Sequence, residues 1–261
     1  MILEKIITSK RKEVEEARAK CPEEEMARRI EPGRRVRSLE QALKNPVGGI
    51  ALIAEIKRAS PSRGLIARDF NPLAAAQIYQ DEGASAVSVL TDAPFFGGSL
   101  AVLNQVRQAV RIPVLRKDFL IDLYQVYESA ASGADSVLLI VRVLEGSELG
   151  KYVNLVHELG MEALVEVHNE EELERAVQAG AKIVGINNRD LSTMEVDTST
   201  CERLIPHVPK GVWVVCESGI RTHAQILRLK SLGAHGVLIG EAFMEALDLR
   251  GRVREIVHGP H

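Results

Sequence analysis

Cysteine is scarce in this chain of 261 residues: Cys21, Cys201 and Cys216 stand apart, at no metal-binding or redox-motif spacing. So sparse and odd a set excludes a disulfide scaffold and points to a reducing compartment. Long apolar runs are missing as well. No stretch approaches the roughly 20 residues that a bilayer span requires, and Met1-Ile2-Leu3-Glu4-Lys5 lacks the apolar core of a signal peptide. Charge of one sign is not in excess: 33 basic against 36 acidic residues leave a formal net charge of −3, which implies neither a nucleic-acid nor a membrane partner. The 7 histidines are scattered, with no His-x-His or His-x-x-x-His pair, so no metal site is readable. The expectation is a soluble, cytoplasmic protein, a monomer or weak homodimer.

What is present is a repeat. Short apolar runs occur at 51–56, 86–90, 113–116, 136–141, 163–167, 182–187, 212–216 and 236–239. Most are apolar on both parities, as parallel strands covered on both faces are. Amphipathic helical stretches lie between them, such as Leu100, Leu103, Val106, Val110 and Leu173, Ala176, Val177, Gly180. Gly-Ala recurs at Gly83, Gly133, Gly180 and Gly233, each time between a helical stretch and an apolar run. A glycine just past a helix end closes the last turn in the left-handed conformation, so these mark helix stops before strands 2, 4, 6 and 8. Length alone allows one domain or two. Eight strand–helix units without a linker predict an α/β fold, a single (β/α)8 barrel over 48–261, with 1–47 as an N-terminal helical extension of the same domain. The alternative is a doubly wound open sheet. That fold would place a glycine-rich turn after its first strand, where this chain has Lys57-Arg-Ala-Ser-Pro-Ser62.

The extension is highly charged, with Leu3, Ile7, Val14 and Ala17 near helical spacing and breaks at Pro22 and Pro32-Gly33. Its Arg28, Arg29, Arg34, Arg35 and Arg37 form either a solvated face or a patch that attracts an anionic substrate.

In such a barrel the chemistry sits at the C-terminal strand ends. Glu55 and Lys57, two apart and so on one face, end the first strand. Lys117 ends the third, Glu166 the fifth, Asn187 and Arg189 the sixth, and Glu217 and Ser218 the seventh. Two lysines and two glutamates in one mouth are costly unless they pair with each other and with a substrate. A lysine kept protonated in that balance can act as a general acid. After strands 7 and 8 come Glu217-Ser-Gly-Ile220 and Gly240-Glu-Ala-Phe243, the place where these barrels cradle phosphate. Gly219 and Gly240 would let backbone N–H groups approach the anion. His168 reads as a loop residue, and Asp92 and Asp135 as caps or turns.

These segments together resemble the indole-3-glycerol phosphate synthase family over nearly the whole chain. The matching runs are Ala54-Glu-Ile-Lys-Arg-Ala-Ser-Pro-Ser62, Val89-Leu-Thr-Asp92 with Phe96-Gly-Gly-Ser99, and Leu115-Arg-Lys-Asp-Phe119. They continue through Glu166-Val, Gly185-Ile-Asn-Asn-Arg-Asp-Leu191, Glu217-Ser-Gly-Ile220 and Leu238-Ile-Gly-Glu-Ala242. The resemblance implies a cofactor-free lyase of tryptophan biosynthesis. Its phosphorylated substrate would be 1-(2-carboxyphenylamino)-1-deoxyribulose 5-phosphate. By resemblance, Lys117 is the acid of ring closure and Glu166 pairs with it and stabilises the cationic intermediate. Lys57 binds the substrate carboxylate and helps the hydroxyl leave, and Glu55 orients these groups and moves a proton at dehydration. Asn187 and Arg189 bind the polar arm. Ser218, Gly219, Gly240 and the backbone N–H of Glu241 hold the phosphate, with Glu217 and Ser60 nearby. Phe96, Phe119, Leu138 and Leu191 wall the aromatic ring, or pack as ordinary core. Three rivals are a Schiff-base aldolase, a phosphoribosylanthranilate isomerase and a barrel that only binds a phosphosugar.

Overall fold

The computed structural model of the chain describes residues 2–60, 64–65, 71–146 and 148–259. Pro61, Ser62 and the side chain of Ser60, all in the first motif, lie outside the described residues.

Eight parallel strands close a barrel: β1 Ala51–Ile56, β2 Ala86–Leu90, β3 Val114–Lys117, β4 Ser136–Ile140, β5 Glu162–Val167, β6 Ile183–Asn187, β7 Trp213–Glu217 and β8 Gly236–Ile239. Each pairs with its sequence neighbours, and β1 also pairs with β8 in the register Ala51↔Gly236 through Ala54↔Ile239. Every expected strand is present, within a residue of its expected bounds. The shift in β3 matters, because Lys117 is its last strand residue and sits opposite Leu90 of β2.

Helices wrap the barrel: α1 Ile2–Lys20, α2 Glu23–Arg28, α3 Leu39–Lys44, α4 Pro72–Asp81, α5 Ala93–Phe96, α6 Leu100–Ala109 and α7 Tyr124–Ala131. They continue with α8 Glu148–Glu158, α9 Glu170–Gln178, α10 Ser199–Leu204, α11 His223–Leu232, α12 Glu241–Met244 and α13 Leu249–His258. The four Gly-Ala glycines all lie in the left-handed region, with φ of +90°, +87°, +84° and +112° at Gly83, Gly133, Gly180 and Gly233. A side chain at those positions would be strained, so the repeated dipeptide is a repeated helix stop.

Two apolar layers follow from strand alternation. Leu52, Ala54, Ile56, Val87, Val89, Val137 and Leu139 point outward to the helices. Ala51, Ile53, Ala86, Leu115, Leu138, Leu164, Ile183, Val215 and Leu238 fill the interior. Leu39 and Leu43 of α3 plug that interior at the N-terminal strand ends, where Leu43 lies against Gly236. The opposite end is left for polar side chains.

The extension divides at the expected breaks, but its first helix runs 19 residues, and its buried stripe is Ile6, Lys10 and Val14. An apolar pattern could not reveal Lys10, which is fully buried among Glu13, Asp92 and Asp118 at 2.8, 3.1 and 2.9 Å. Two arginines of the patch, Arg34 and Arg37, face away from the polar end, and Arg28 and Arg29 pair with Glu24 and Glu25 on the surface. Arg34 donates to the carbonyl of Ala134, and Arg37 to those of Ile112 and Arg107, all just ahead of the strands at the plugged end. There these two guanidiniums satisfy backbone carbonyls instead of drawing in an anion.

Candidate active site

The C-terminal strand ends surround a solvent-open cleft of about 990 Å³. The interior-facing parity of each strand ends in this cleft, so alternation decides what enters it. From β1 come Glu55 and Lys57, from β3 Lys117, from β5 Glu166, from β6 Asn187, and from β7 Glu217. Phe96, Phe119, Leu138 and Leu191 line one apolar wall, with the Phe96 and Phe119 rings tilted at 6.2 Å. Ser218, Gly219, Gly240, Glu241 and Arg189 line the remainder. Of the residues expected at the site, only the Ser60 side chain falls outside the described residues.

Lys117 is fixed from both sides. Its neighbours Arg116 and Asp118 face outward and are buried. Arg116 donates to Thr91, Ser129, the Gln125 carbonyl and Asp118. Asp118 also binds Lys10 and Thr91. The charged run that ends β3 therefore divides its labour: two residues anchor the strand end and one enters the cleft.

Inside, Lys117 Nζ lies 2.6 Å from Glu217 Oε2 and 3.4 Å from Glu166 Oε2, while Lys57 Nζ lies 2.8 Å from Glu55 Oε1. Lys117 thus has its shortest contact with Glu217, a residue expected among the substrate-binding groups, and a longer one with the expected Glu166. Two glycines make room. A methyl at Gly185 would overlap Glu217 Oε1, and one at Gly240 would overlap Glu55 Oε1. Gly240 therefore seats a carboxylate, beyond any service to a phosphate.

Charge balance sets the protonation states. Burial works against the Lys117 ammonium, but Glu217, Glu166 and Glu55 outweigh it and hold its pKa above the ordinary value. Burial also opposes the Glu55 carboxylate, yet Lys57, Lys117 and Arg189 pull its pKa below normal. Glu166 is held down at about 2, with Lys117 and His168 overcoming its burial. Glu217 goes the other way, to about 7, because burial and the charges of Glu166 and Glu55 exceed the pull of Lys117. Of the three carboxylates crowded into the cleft, Glu217 is the one that takes up a proton most readily.

Two residues escaped the sequence reading. Arg221 follows Ile220 into the cleft; its guanidinium lies 2.9 Å from Glu245 and 3.7 Å from Glu241, whose carboxylate is also 3.5 Å from Arg189. The second is His168. It does lie in the loop just past β5, but what the sequence did not show is that its side chain is 4% exposed, between Glu166 and Glu172. The period of two that paired Glu55 with Lys57 would have paired Glu166 with His168. Asp92 does cap, accepting from Phe95 N at the start of α5, but Asp135 neither caps nor turns: it is a buried tie between segments, accepting from Arg37 N and Val114 N.

Fold and cleft define a (β/α)8 barrel with ion-paired lysines and carboxylates at its C-terminal strand ends. A model of the family described as indole-3-glycerol phosphate synthase matches residues 3–256. The indole-3-glycerol phosphate synthase of Desulforamulus reducens is 46% identical over 258 residues, covering 98% of this chain and 97% of its own. That of Acetivibrio thermocellus is 46% identical over 257 residues, covering 98% of each chain. The chain belongs to the indole-3-glycerol phosphate synthase family, whose members are carboxy-lyases. Solved structures show the same barrel at low identity: a 3-hexulose-6-phosphate synthase aligns with a TM-score of 0.62 at 18% identity, over 80% of this chain and 98% of its own.

Proposed function

We propose that this cleft carries out the reaction of its family. 1-(2-Carboxyphenylamino)-1-deoxyribulose 5-phosphate closes its ring, loses carbon dioxide and water, and becomes indole-3-glycerol phosphate. The observation that carries the reading is the pair of ion-paired lysines, Lys117 with Glu217 and Glu166, and Lys57 with Glu55, in one cleft.

The steps follow from the positions. As the ring carbon bearing the carboxylate attacks the ketone, Lys117 gives its proton to the ketone oxygen. Glu166, ionised beside it, stabilises the cation that forms. Carbon dioxide leaves with the old C–C electron pair returning to the ring. Lys57 holds the substrate carboxylate beforehand and then protonates the departing hydroxyl, while Glu55 takes the C–H proton that dehydration releases. Decarboxylation replaces an anion with a neutral gas, so each turnover takes up one proton. Glu217, 2.6 Å from Lys117 and titrating near 7, is suited to return that proton to Lys117 from solvent.

Asn187 and Arg189 bind the polar arm, and Phe96, Phe119, Leu138 and Leu191 hold the anthranilate ring. Ser218, Gly219, Gly240 and the Glu241 N–H receive the phosphate, with Ser60 beside them; Arg189 and Arg221 supply positive charge there. The same reading takes 1–261 as one domain, cytoplasmic, a monomer or weak homodimer, with no nucleic-acid or membrane partner and no cofactor. Among the described residues no helix is long and apolar enough to cross a membrane.

Indole fluorescence appearing when the purified chain meets this substrate tests the reaction directly; substrate consumption without it refutes it. A Schiff-base aldolase needs a free amine, whereas Lys117 is held protonated. Borohydride with a ketose phosphate should therefore leave Lys117 and Lys57 unmodified by mass spectrometry.

A further inference from the structure

Glu166 has a cation against each of its oxygens. Oε2 faces Lys117 Nζ and Oε1 faces His168 Nε2, both at 3.4 Å. That Oε1 and that Nε2 are buried, and neither makes a hydrogen bond among the described residues, so the two face each other across a charge contact. The other side of the imidazole is held more tightly. His168 Nδ1 lies 2.9 Å from Glu172 Oε2, which also accepts from His168 N at 2.8 Å. Glu172 is in turn fixed by Arg142 Nε at 2.9 Å, and Arg142 reaches Asp190 at 3.2 Å. The ring is therefore braced from behind and aimed at Glu166.

The charged groups around it can be named. Glu166 on β5 and Glu172 on α9 face the ring directly. Behind Glu166 stand Lys117 of β3 and, beyond it, Glu217 of β7; behind Glu172 stand Arg142, after β4, and Asp190, after β6. With a carboxylate on each nitrogen, both nitrogens are drawn to donate, which only the imidazolium can do.

We propose that His168 is a positioning residue for ring closure: an imidazolium that fixes the second oxygen of Glu166 and keeps that carboxylate charged while Lys117 gives up its proton. This rests on the roles given above to Lys117 and Glu166. Its necessity follows from the timing. When Lys117 becomes neutral, Glu166 loses one of its two cations just as the substrate cation forms. A buried carboxylate left with no cation takes a proton rather than stay charged, and a neutral Glu166 cannot stabilise the intermediate. His168 does not take part in the transfer, so it holds the charge in place through that step. Its pKa agrees: burial lowers it, but Glu166 and Glu172 raise it to about 9.

The test is kinetic. His168→Asn should lower kcat on the order of tenfold to a hundredfold with little change in KM, as misplacing a group at the chemical step does. It should also move the acid limb of the kcat–pH profile to higher pH, because Glu166 protonates more easily without its second cation. His168→Gln restores a neutral donor near the Nε2 position; it should recover part of kcat but keep the shifted limb. Unchanged kcat and an unmoved limb in His168→Asn, or a loss of thermal stability with the limb unmoved, overturn the proposal. Should the variants not fold, NMR titration of the wild-type ring decides: protonation at both nitrogens through neutral pH is expected, and a neutral ring at pH 7 overturns it. Wild-type turnover measured alongside separates the two readings. Absence of indole product defeats the reaction assignment, while the ring titration still reports on His168.

Discussion

Lys117 and Glu217 show how a single contact divides chemistry from charge balance. Lys117→Ala should cut turnover at least about a hundredfold, the usual worth of a positioned acid, while the protein stays folded and still binds a phosphate-bearing analogue. Near-normal turnover in that variant would rule out Lys117 as the acid. Glu217 sets a pH dependence. Its neutral form loosens the hold on Lys117 and can recharge it, so kcat should fall as pH rises through about 7. Glu217→Gln, neutral at every pH, should lose that inflection, which a kcat–pH series on both proteins would reveal. Much of this was legible in the residues: a lysine or glutamate ending an apolar run has few reasons to be there. Glu166 was named as a partner of Lys117 and does pair with it, but the shorter contact, with Glu217, was not legible. Glu166 and Glu217 look alike in sequence, and only the space over Gly185 lets Glu217 reach in.

At the scale of elements, β3 and α1 form one device. Lys10 joins the helix to the loops after β2 and β3 by bonding Asp92 and Asp118. Lys10→Met would leave two buried carboxylates with reduced compensation, costing about 3–5 kcal/mol, read as a lower urea midpoint, together with lost activity from a loosened β3 end. Wild-type stability in that variant would make the cluster dispensable. β8 offers a contrasting case. Gly240→Ala pushes Glu55 aside, so it should lower kcat far more than the thermal midpoint; equal losses would mean that Gly240 serves the fold alone. The strands and helix stops were readable because their signals are local, a short run apolar on both parities and a glycine at positive φ. The Lys10 stripe was hidden because a charged residue breaks the apolar pattern that marks a buried face.

The whole molecule carries a pH signature set by its buried groups. Between about 2 and 4.5 the folded chain keeps Glu166 ionised while the unfolded chain protonates it, so stability rises with pH. Above that the sign reverses. Folding keeps the Glu217 proton from its ordinary 4.5 up to about 7, and the His168 proton from 6.5 up to about 9. In both windows the folded state binds more protons, so these groups lose their stabilising effect as pH climbs. Thermal midpoints should therefore peak in mild acid and decline towards about pH 9, with a flatter alkaline decline in His168→Asn; a midpoint rising steadily over that range would contradict the assignment.

The sequence by itself determined the barrel, its helix stops and the residue types at each strand end, because alternation and left-handed glycines are properties of neighbouring residues. Only the tertiary structure decided that Glu217 makes the shorter contact with Lys117, that Arg34 and Arg37 serve the plugged end, and that His168 lies behind Glu166. Those depend on distances across a closed barrel, between groups dozens of residues apart, and on the small glycines that let buried charges come within reach of one another.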